Sequence, residues 1–491
     1  MKRTILFLMT AAILALSALT ACSSGGAAVQ ETKATGETAA TEPEATETER
    51  IYPKYEADYD GAEFNMLYFD AVANCGWSDS IPCDIYVEEL NGDLLSDAVY
   101  QRNLKLEELY NIDIVASGRK GSTDTTTEIQ KQVLSGTPTY DVMFPCQTTL
   151  YTLILDDLIA DLTEEFDYTL PWYDPKGLEA FSILGKTYAV VTDATYMDKM
   201  LSIVILFNSN MTQSLNLGDL YQMVLDHEWD FDAMLEMCEA VGRDVDGNGV
   251  MDKNDVYGIL SQNDAVYELL HASGNRYVTI NRDGVPEITL DRESTVSTIQ
   301  KIYSFMNRTE LFFNRQKSGA STIDVCNMFA NDQGLFILRQ IQCAFELRNM
   351  TSDFGIIPLP LMSETQEDYN TSIGYTVALT TTIPFVVKDM EMSKVVVDTM
   401  GAESHYSLNP VLYGSVLGDK LSRDEMSQKN LDIIFDRRFY DPGCTYNFAN
   451  IASIMMKSWT EGAENVVSVI EANRPAVQEA IDKMVETLRA K

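Results

Sequence analysis

Histidine is almost missing from this chain. Only His227, His271 and His405 occur, and they are scattered, so no H-E-x-x-H helix or local zinc cluster can form from neighbouring residues. Each therefore reads as structural. Basic side chains are outnumbered two to one, 36 Lys+Arg against 74 Asp+Glu, for a formal charge of −38. Such an excess excludes nucleic acid and an anionic membrane surface as partners, and suits an uncharged or cationic ligand. The G-x-S-x-G, P-loop and dinucleotide fingerprints are lacking too, which removes the commonest catalytic signatures. Cysteine is sparse. Beyond Cys22 there are Cys75, Cys83, Cys146, Cys238, Cys326, Cys343 and Cys444, an odd set without C-x-x-C spacing. Neither a dense disulfide framework nor a zinc ligand set is indicated. Cys75 and Cys83 are spaced to bridge a loop, although buried free thiols are the commoner outcome.

What is present begins with a leader. Lys2 and Arg3 precede the apolar run 5–16, and Leu19-Thr20-Ala21-Cys22 follows, with small residues ahead of the cysteine. This order is that of a secretory signal peptide, and its cysteine makes it resemble a bacterial lipobox, which implies lipidation of Cys22. A plain signal peptide or a short anchor is the competing reading. The next stretch, SSGGAAVQETKATGETAATEPEATETER, is rich in Thr, Glu and small residues and has no aromatic. It cannot bury enough apolar surface to offset the entropy of ordering, so it reads as a disordered tether. No second long apolar run follows, and nothing reads as a membrane span.

Patterning of the remainder is α/β. EFNMLYF (63–69) predicts a strand after the Asp60-Gly61 turn, and LLSDAVYQRNLKLEELYN predicts a helix with Leu95, Val99, Leu106, Leu109 and Arg102 on one stripe. IDIV (112–115), a short helix over 127–134 and YDVMF (140–144) continue the alternation. Strand–helix–strand–helix–strand implies parallel pairing, with a ligand crevice beyond the carboxyl ends of the strands. SIVILF (202–207) has the unbroken apolar character of a buried strand. Amphipathic helices are expected over 231–241 and 296–307, extended pieces at 355–360 and 375–380, and helices from 450 to 489 with Pro475 opening the last. Arg102, on an apolar stripe, reads as snorkelling or ion-paired rather than as a ligand contact.

RDVDGNGVMDKNDVYG (243–258) stands apart. Asp244, Asp246, Asn248, Val250, Asp252 and Asp255 fall at positions 1, 3, 5, 7, 9 and 12 of an EF-hand-type loop, with Gly249 at the sharp turn. Alternate residues of so tight a loop turn hard oxygens inward, and position seven needs only its carbonyl, so valine is acceptable there. Aspartate replaces glutamate at position twelve, as in the dockerin-type loops this resembles. A structural calcium is expected; a fully dressed calcium leaves no open position for catalysis.

Taken in order, the lipobox, the tether, QRNLKLEELYNIDI, QVLSGTPTYDVMF, LPWYDPKGLEAFSILGKTYAV, ILFNSNM, the aspartate loop and FGIIPLP resemble bacterial extracellular solute-binding lipoproteins of ABC importers, of the carbohydrate type. The resemblance implies a two-lobed periplasmic-binding-protein-like (type II) clamshell with hinge crossovers. The expected organisation is signal peptide 1–21, tether 22–58, lobe 1 from 59–198 with about 375–430, and lobe 2 from 199–374 with about 431–491, holding the calcium loop 244–255. It implies a monomeric receptor, anchored outside the cell membrane, that hands a sugar or oligosaccharide to permease subunits without chemistry of its own. A calcium-stabilised surface glycoside hydrolase, or a sensor of the same fold, is the alternative. Sugar sites combine aromatic faces with polar forks, and the candidates near strand ends and crossovers are Asp70, Trp77, Gln147, Asp193, Tyr196, Arg339 and Tyr375. Trp172 and Trp229 are assigned to packing; Trp459 is left open.

Overall fold

The structure is a computed structural model that describes residues 50–75, 83–417 and 425–491. The signal peptide, Cys22, all of the tether up to residue 49 and Trp77 lie outside the described residues. In Ile51–Lys491 two sheets organise the chain.

The first sheet holds β1 (Ala62–Phe69), β2 (Ile112–Arg119) and β3 (Val142–Phe144) in the order β2-β1-β3, all parallel. Helix α1 (Leu94–Tyr110) makes the β1–β2 crossover. Asp93 caps it by accepting the Leu95 and Ser96 N–H groups, and Asn111 ends it in the left-handed region, φ 50°, returning its N–H to the Glu107 carbonyl. Leu95, Val99, Arg102 and Leu106 are buried as the stripe predicts, but Leu109 is 49% exposed. After Leu106 the buried stripe takes another step of four rather than three, so Tyr110 occupies the core position instead. Arg102 is buried and donates to the carbonyls of Asp84, Ile85 and Ala194, a structural clamp rather than a ligand contact. Helix α2 (Asp124–Ser135) returns the chain to β3.

The second sheet holds β4 (Ile203–Asn208), β5 (Tyr257–Ser261), β6 (Phe312–Asn314), β7 (Gly334–Gln340) and β8 (Phe354–Ile357), in the order β6-β5-β7-β4-β8. β5 is parallel to β6 and β7, whereas β4 runs antiparallel to β7 and β8. All six residues of β4 are buried, as its apolar run requires. The first sheet repeats this order. Beyond β3, residues 379–382 pair antiparallel with it through Cys146↔Leu379 and Met143↔Thr382, and Val190 pairs with Thr381 beyond that. In each lobe the antiparallel strand is the one that has just arrived from the other lobe.

Crossing segments knit the lobes together. Ser202 bridges Ile373, and β9 (Thr371–Ser372) pairs in parallel with β10 (Arg438–Phe439). The return strand starts later than expected: Tyr375 lies in a turn and ladder pairing begins at Leu379. In lobe 2, helix α3 (Phe231–Val241) packs on β5, and helix α4 (Ala265–Ala272), buried at every position, follows it. Late in the chain come α5 (Pro442–Thr445) and α6 (Val466–Ala490). Pro475 sits inside α6 rather than opening it. Pro475 and Glu471 are both exposed, so water serves the carbonyl that proline leaves without a donor. Trp172 and Trp229 are fully buried, as packing residues should be. Cys83, Cys146, Cys238, Cys326, Cys343 and Cys444 are free thiols.

Candidate functional site

Side chains at the carboxyl ends of β3, β5, β6 and β7 form a buried polar group beside the crossing segments. Gln147 follows β3 and is held by its N–H to the Ala378 carbonyl (2.8 Å). Its Oε1 accepts from Thr445 Oγ1 of α5 at 3.3 Å. From the other lobe come Gln262 and Asp264 after β5, Glu268 one turn into α4, Asn314 and Arg315 at the end of β6, and Arg339 in β7. Gln262 Oε1 accepts from Arg339 Nη1 (2.9 Å) and from Arg315 Nε and Nη2 (3.3 and 3.2 Å). Asn263 Oδ1 takes the Asn314 amide and the Trp459 indole N–H, both at 3.0 Å. Tyr375 closes the hinge side: its ring meets Tyr267 edge-on at 4.9 Å, and the Cys146 thiol points to its carbonyl at 3.9 Å.

Several buried polar atoms in this group have no hydrogen-bond partner among the described residues: Gln147 Nε2, Tyr267 OH and Arg339 Nε. Both Glu268 oxygens also fall short of a bond at full bonding distance, although Gln262 is close by. Leaving such groups unmatched costs about 1–3 kcal/mol each, and these atoms are sealed from solvent in this arrangement, so an incoming molecule meets them only when the surrounding segments part. Burial pushes the Glu268 carboxyl well above the usual range, and the Asp264 charge adds to this, favouring the neutral acid that can both donate and accept. Burial also raises Asp264, with Arg339 and Arg315 opposing it.

The structure thus brings Gln147, Arg339 and Tyr375 together. Asp70 sits at the end of β1, partly exposed, accepting the Ala73 N–H (2.9 Å) while its own N–H binds the Arg119 carbonyl (2.7 Å). Asp193 and Tyr196 belong to the first crossing segment instead. Asp193 is buried between Lys199 Nζ (2.5 Å) and His405 Nδ1 (2.6 Å). Burial alone would raise its carboxyl, but Lys199 and His405 outweigh that and hold it well below the usual range. Tyr196 is fully buried. The polar group Gln262-Asn263-Asp264, with Glu268, escaped the sequence reading. Its signal was a run of amides and acids directly after an apolar strand.

The residues of the aspartate loop fit a calcium cradle. Asp244, Asp246 and Asp255 can each bring an oxygen within 4.8 Å of the others. Asp255 is fully buried and accepts the Val245 and Asp252 N–H groups, both at 2.8 Å, closing the loop on itself. Asp244 accepts from Gly247 and Gly249 at 2.8 Å, and both glycines have positive φ. Asn248 and Asp252 turn their side chains onto the loop's own N–H groups, and Val250 is exposed. The donors are hard oxygens, which suit calcium rather than a thiophilic ion.

No protein-family model matches the chain, and no curated protein sequence matches it. Solved structures do. An ABC substrate-binding protein from Listeria monocytogenes in complex with cycloalternan is 15% identical, with TM-score 0.51, covering 87% of this chain and 99% of that one. A solute-binding protein of an ABC transporter from Thermotoga lettingae, bound with alpha-D-tagatose, is 12% identical, with TM-score 0.54 over 86% of this chain and all of that one. The maltose/maltodextrin-binding domain from Bdellovibrio bacteriovorus bound to maltotriose is 13% identical, with TM-score 0.51 over 87% and 100%. The chain has the two-lobed α/β fold of carbohydrate-type substrate-binding proteins of ABC transporters.

Proposed function

We propose that the protein is a lipid-anchored extracellular receptor that captures a sugar or oligosaccharide at this polar group and delivers it to an ABC permease. The observation that carries the reading is the cluster of unmatched polar atoms at the strand ends beside the Tyr267 and Tyr375 rings, closed off from solvent here and open to a guest once the lobes part. Hydroxyls of a neutral sugar donate and accept at once, and a sugar's apolar face suits an aromatic wall. Similar folds solved with cycloalternan, maltotriose and tagatose support the same ligand class. Catalysis of glycoside hydrolysis needs two carboxyls on opposite sides of the scissile bond. Asp264 and Glu268 are one turn apart at the start of a single helix, so they face a guest from one side. Among the described residues no helix is long and apolar enough to cross a membrane, in keeping with an anchor supplied by lipid on Cys22. In this reading the Asp244–Asp255 loop holds a structural calcium that fixes the connection between α3 and β5.

Isothermal calorimetry against a panel of neutral mono- and oligosaccharides tests the function. Saturable binding without turnover is expected. Hydrolysis of a panel member, or saturable binding confined to peptides or charged solutes, refutes it.

A further inference from the structure

His271, Asp441 and Cys444 are separated by 170 residues of chain between the first two, yet the fold sets their ligand atoms together. His271 lies on α4; Asp441 caps α5 and Cys444 lies within it, just past β10. All three are buried. His271 Nε2 is 3.1 Å from Asp441 Oδ2, and Cys444 Sγ is 3.9 Å from each. We propose that this triad is a binding site for a thiophilic divalent cation of the zinc class, distinct from the oxygen-lined aspartate loop. A circle through three atoms so spaced has a radius of about 2.1 Å, which matches Zn–N and Zn–O bonds. A shift of about 0.2 Å within the plane, away from sulfur, lengthens that contact toward the 2.3 Å or so that zinc thiolates prefer. Thiolate, imidazole and carboxylate together select zinc over calcium or magnesium.

The surroundings hold these ligands in place. His271 Nδ1 lies 2.8 Å from Ser372 Oγ, the outer contact that orients a metal-bound imidazole. Asp441 Oδ1 accepts the Gly443 and Val278 N–H groups (2.7 and 3.2 Å), and Oδ2 accepts that of Tyr277 (2.7 Å). The Tyr277 hydroxyl is buried without a partner among the described residues, and its ring lies 6.4 Å from that of His271, centroid to centroid. In the metal-free protein Nε2–H donates to Asp441 and the Ser372 hydroxyl donates to Nδ1. On binding, the imidazole proton moves to Nδ1, Ser372 becomes the acceptor, and Nε2 turns its lone pair to the ion. Cys444 gives its proton to solvent, so one proton leaves per ion and nothing is oxidised. Because one proton leaves per ion bound, loading strengthens as pH rises. The ion would tie α4 to the segment that follows the hinge pair β9–β10.

The test is refolding from denaturant with Co2+ under excess Ca2+, which fills the oxygen loop. One cobalt per chain is expected, with a near-ultraviolet thiolate-to-metal band, d–d bands of a four-coordinate site, displacement by zinc and release of one proton. The band should vanish in Cys444→Ser and persist in Asp255→Ala. Cys326 and Cys343, whose sulfurs are 3.3 Å apart, are the other thiol pair in the described residues. Absence of the band in the refolded wild-type protein overturns the proposal, whatever the variants do. So does a band that survives Cys444→Ser and disappears in Cys326→Ser.

Discussion

Gln147→Leu separates a guest-binding side chain from a packing one, because the two roles predict opposite signs. In the unliganded protein the Gln147 Nε2 is buried without a partner, and Oε1 keeps one 3.3 Å bond from Thr445. Leucine fills a similar volume. The substitution removes an unmatched donor that costs about 1–3 kcal/mol but also takes the acceptor from the buried Thr445 hydroxyl, so it is paired with Thr445→Val, and only a bond worth about 0.5–1.5 kcal/mol is then lost. The unliganded double variant should therefore be unchanged or stabilised by up to about 2 kcal/mol. Binding should weaken, since the bond a guest makes to Nε2 is lost: about 0.5–1.5 kcal/mol, or roughly 2- to 13-fold in Kd. Urea unfolding without sugar gives the first quantity and calorimetry the second. A variant that is less stable without ligand yet binds its sugar as tightly as wild type refutes the assignment, and with it the view that unmatched polar atoms mark the guest's position.

Arg339→Met removes a charged donor and should weaken sugar binding by about 10- to 150-fold, measured by the same calorimetry. Glu268 has its native carboxyl raised, so the stability it contributes is complete below the ordinary value of 4.5 and is lost as pH rises from there through the native value. Glu268→Gln should flatten that part of the stability–pH curve and raise stability at neutral pH, as followed by urea midpoints between pH 4 and 8 or so. Asp193 has the opposite sign. Its lowered carboxyl contributes stability present above the ordinary 3.8 and lost as pH falls through the native value, so Asp193→Asn should destabilise the protein at neutral pH. The loss should be less than the roughly 3–5 kcal/mol of a fully unpaired buried charge, because Asp198 stays 3.9 Å from Lys199. Chelation should lower the melting temperature, corresponding to about 3–4 kcal/mol at calcium 100- to 1,000-fold above Kd, while leaving sugar affinity intact in protein that remains folded. Asp255→Ala should reproduce the shift and remove the chelator response.

Much of the fold was legible because its signals are local. The apolar run of β4, the Asp60-Gly61 turn before β1 and the apolar stripe of α1 each act over a few residues, and each specifies its element. Leu109 and Pro475 were misplaced for local reasons too: a helical stripe drifts by a residue over several turns, and proline is tolerated on a wet helix face. The candidate site was harder. Gln147, Arg339 and Tyr375 were singled out for lying at strand ends or a crossover, and the fold places each beside the same buried polar group. Gln262, Asp264 and Glu268 carry no motif and acquire meaning only when β5, β6 and β7 end side by side. Asp193 looked equally exposed to a guest, and nothing in its neighbourhood announces that His405, 212 residues away, will pair with it. The His271–Asp441–Cys444 triad is the extreme case, since its spacing excludes every short metal motif.

The central claim is that a saccharide is gripped between two lobes. Spin labels at exposed Leu134 in lobe 1 and Ile323 in lobe 2, introduced as Leu134→Cys and Ile323→Cys, report their separation by double electron–electron resonance. The account predicts a shorter, narrower interlabel distance once a neutral oligosaccharide saturates the protein. A distribution that does not change at saturation would contradict it.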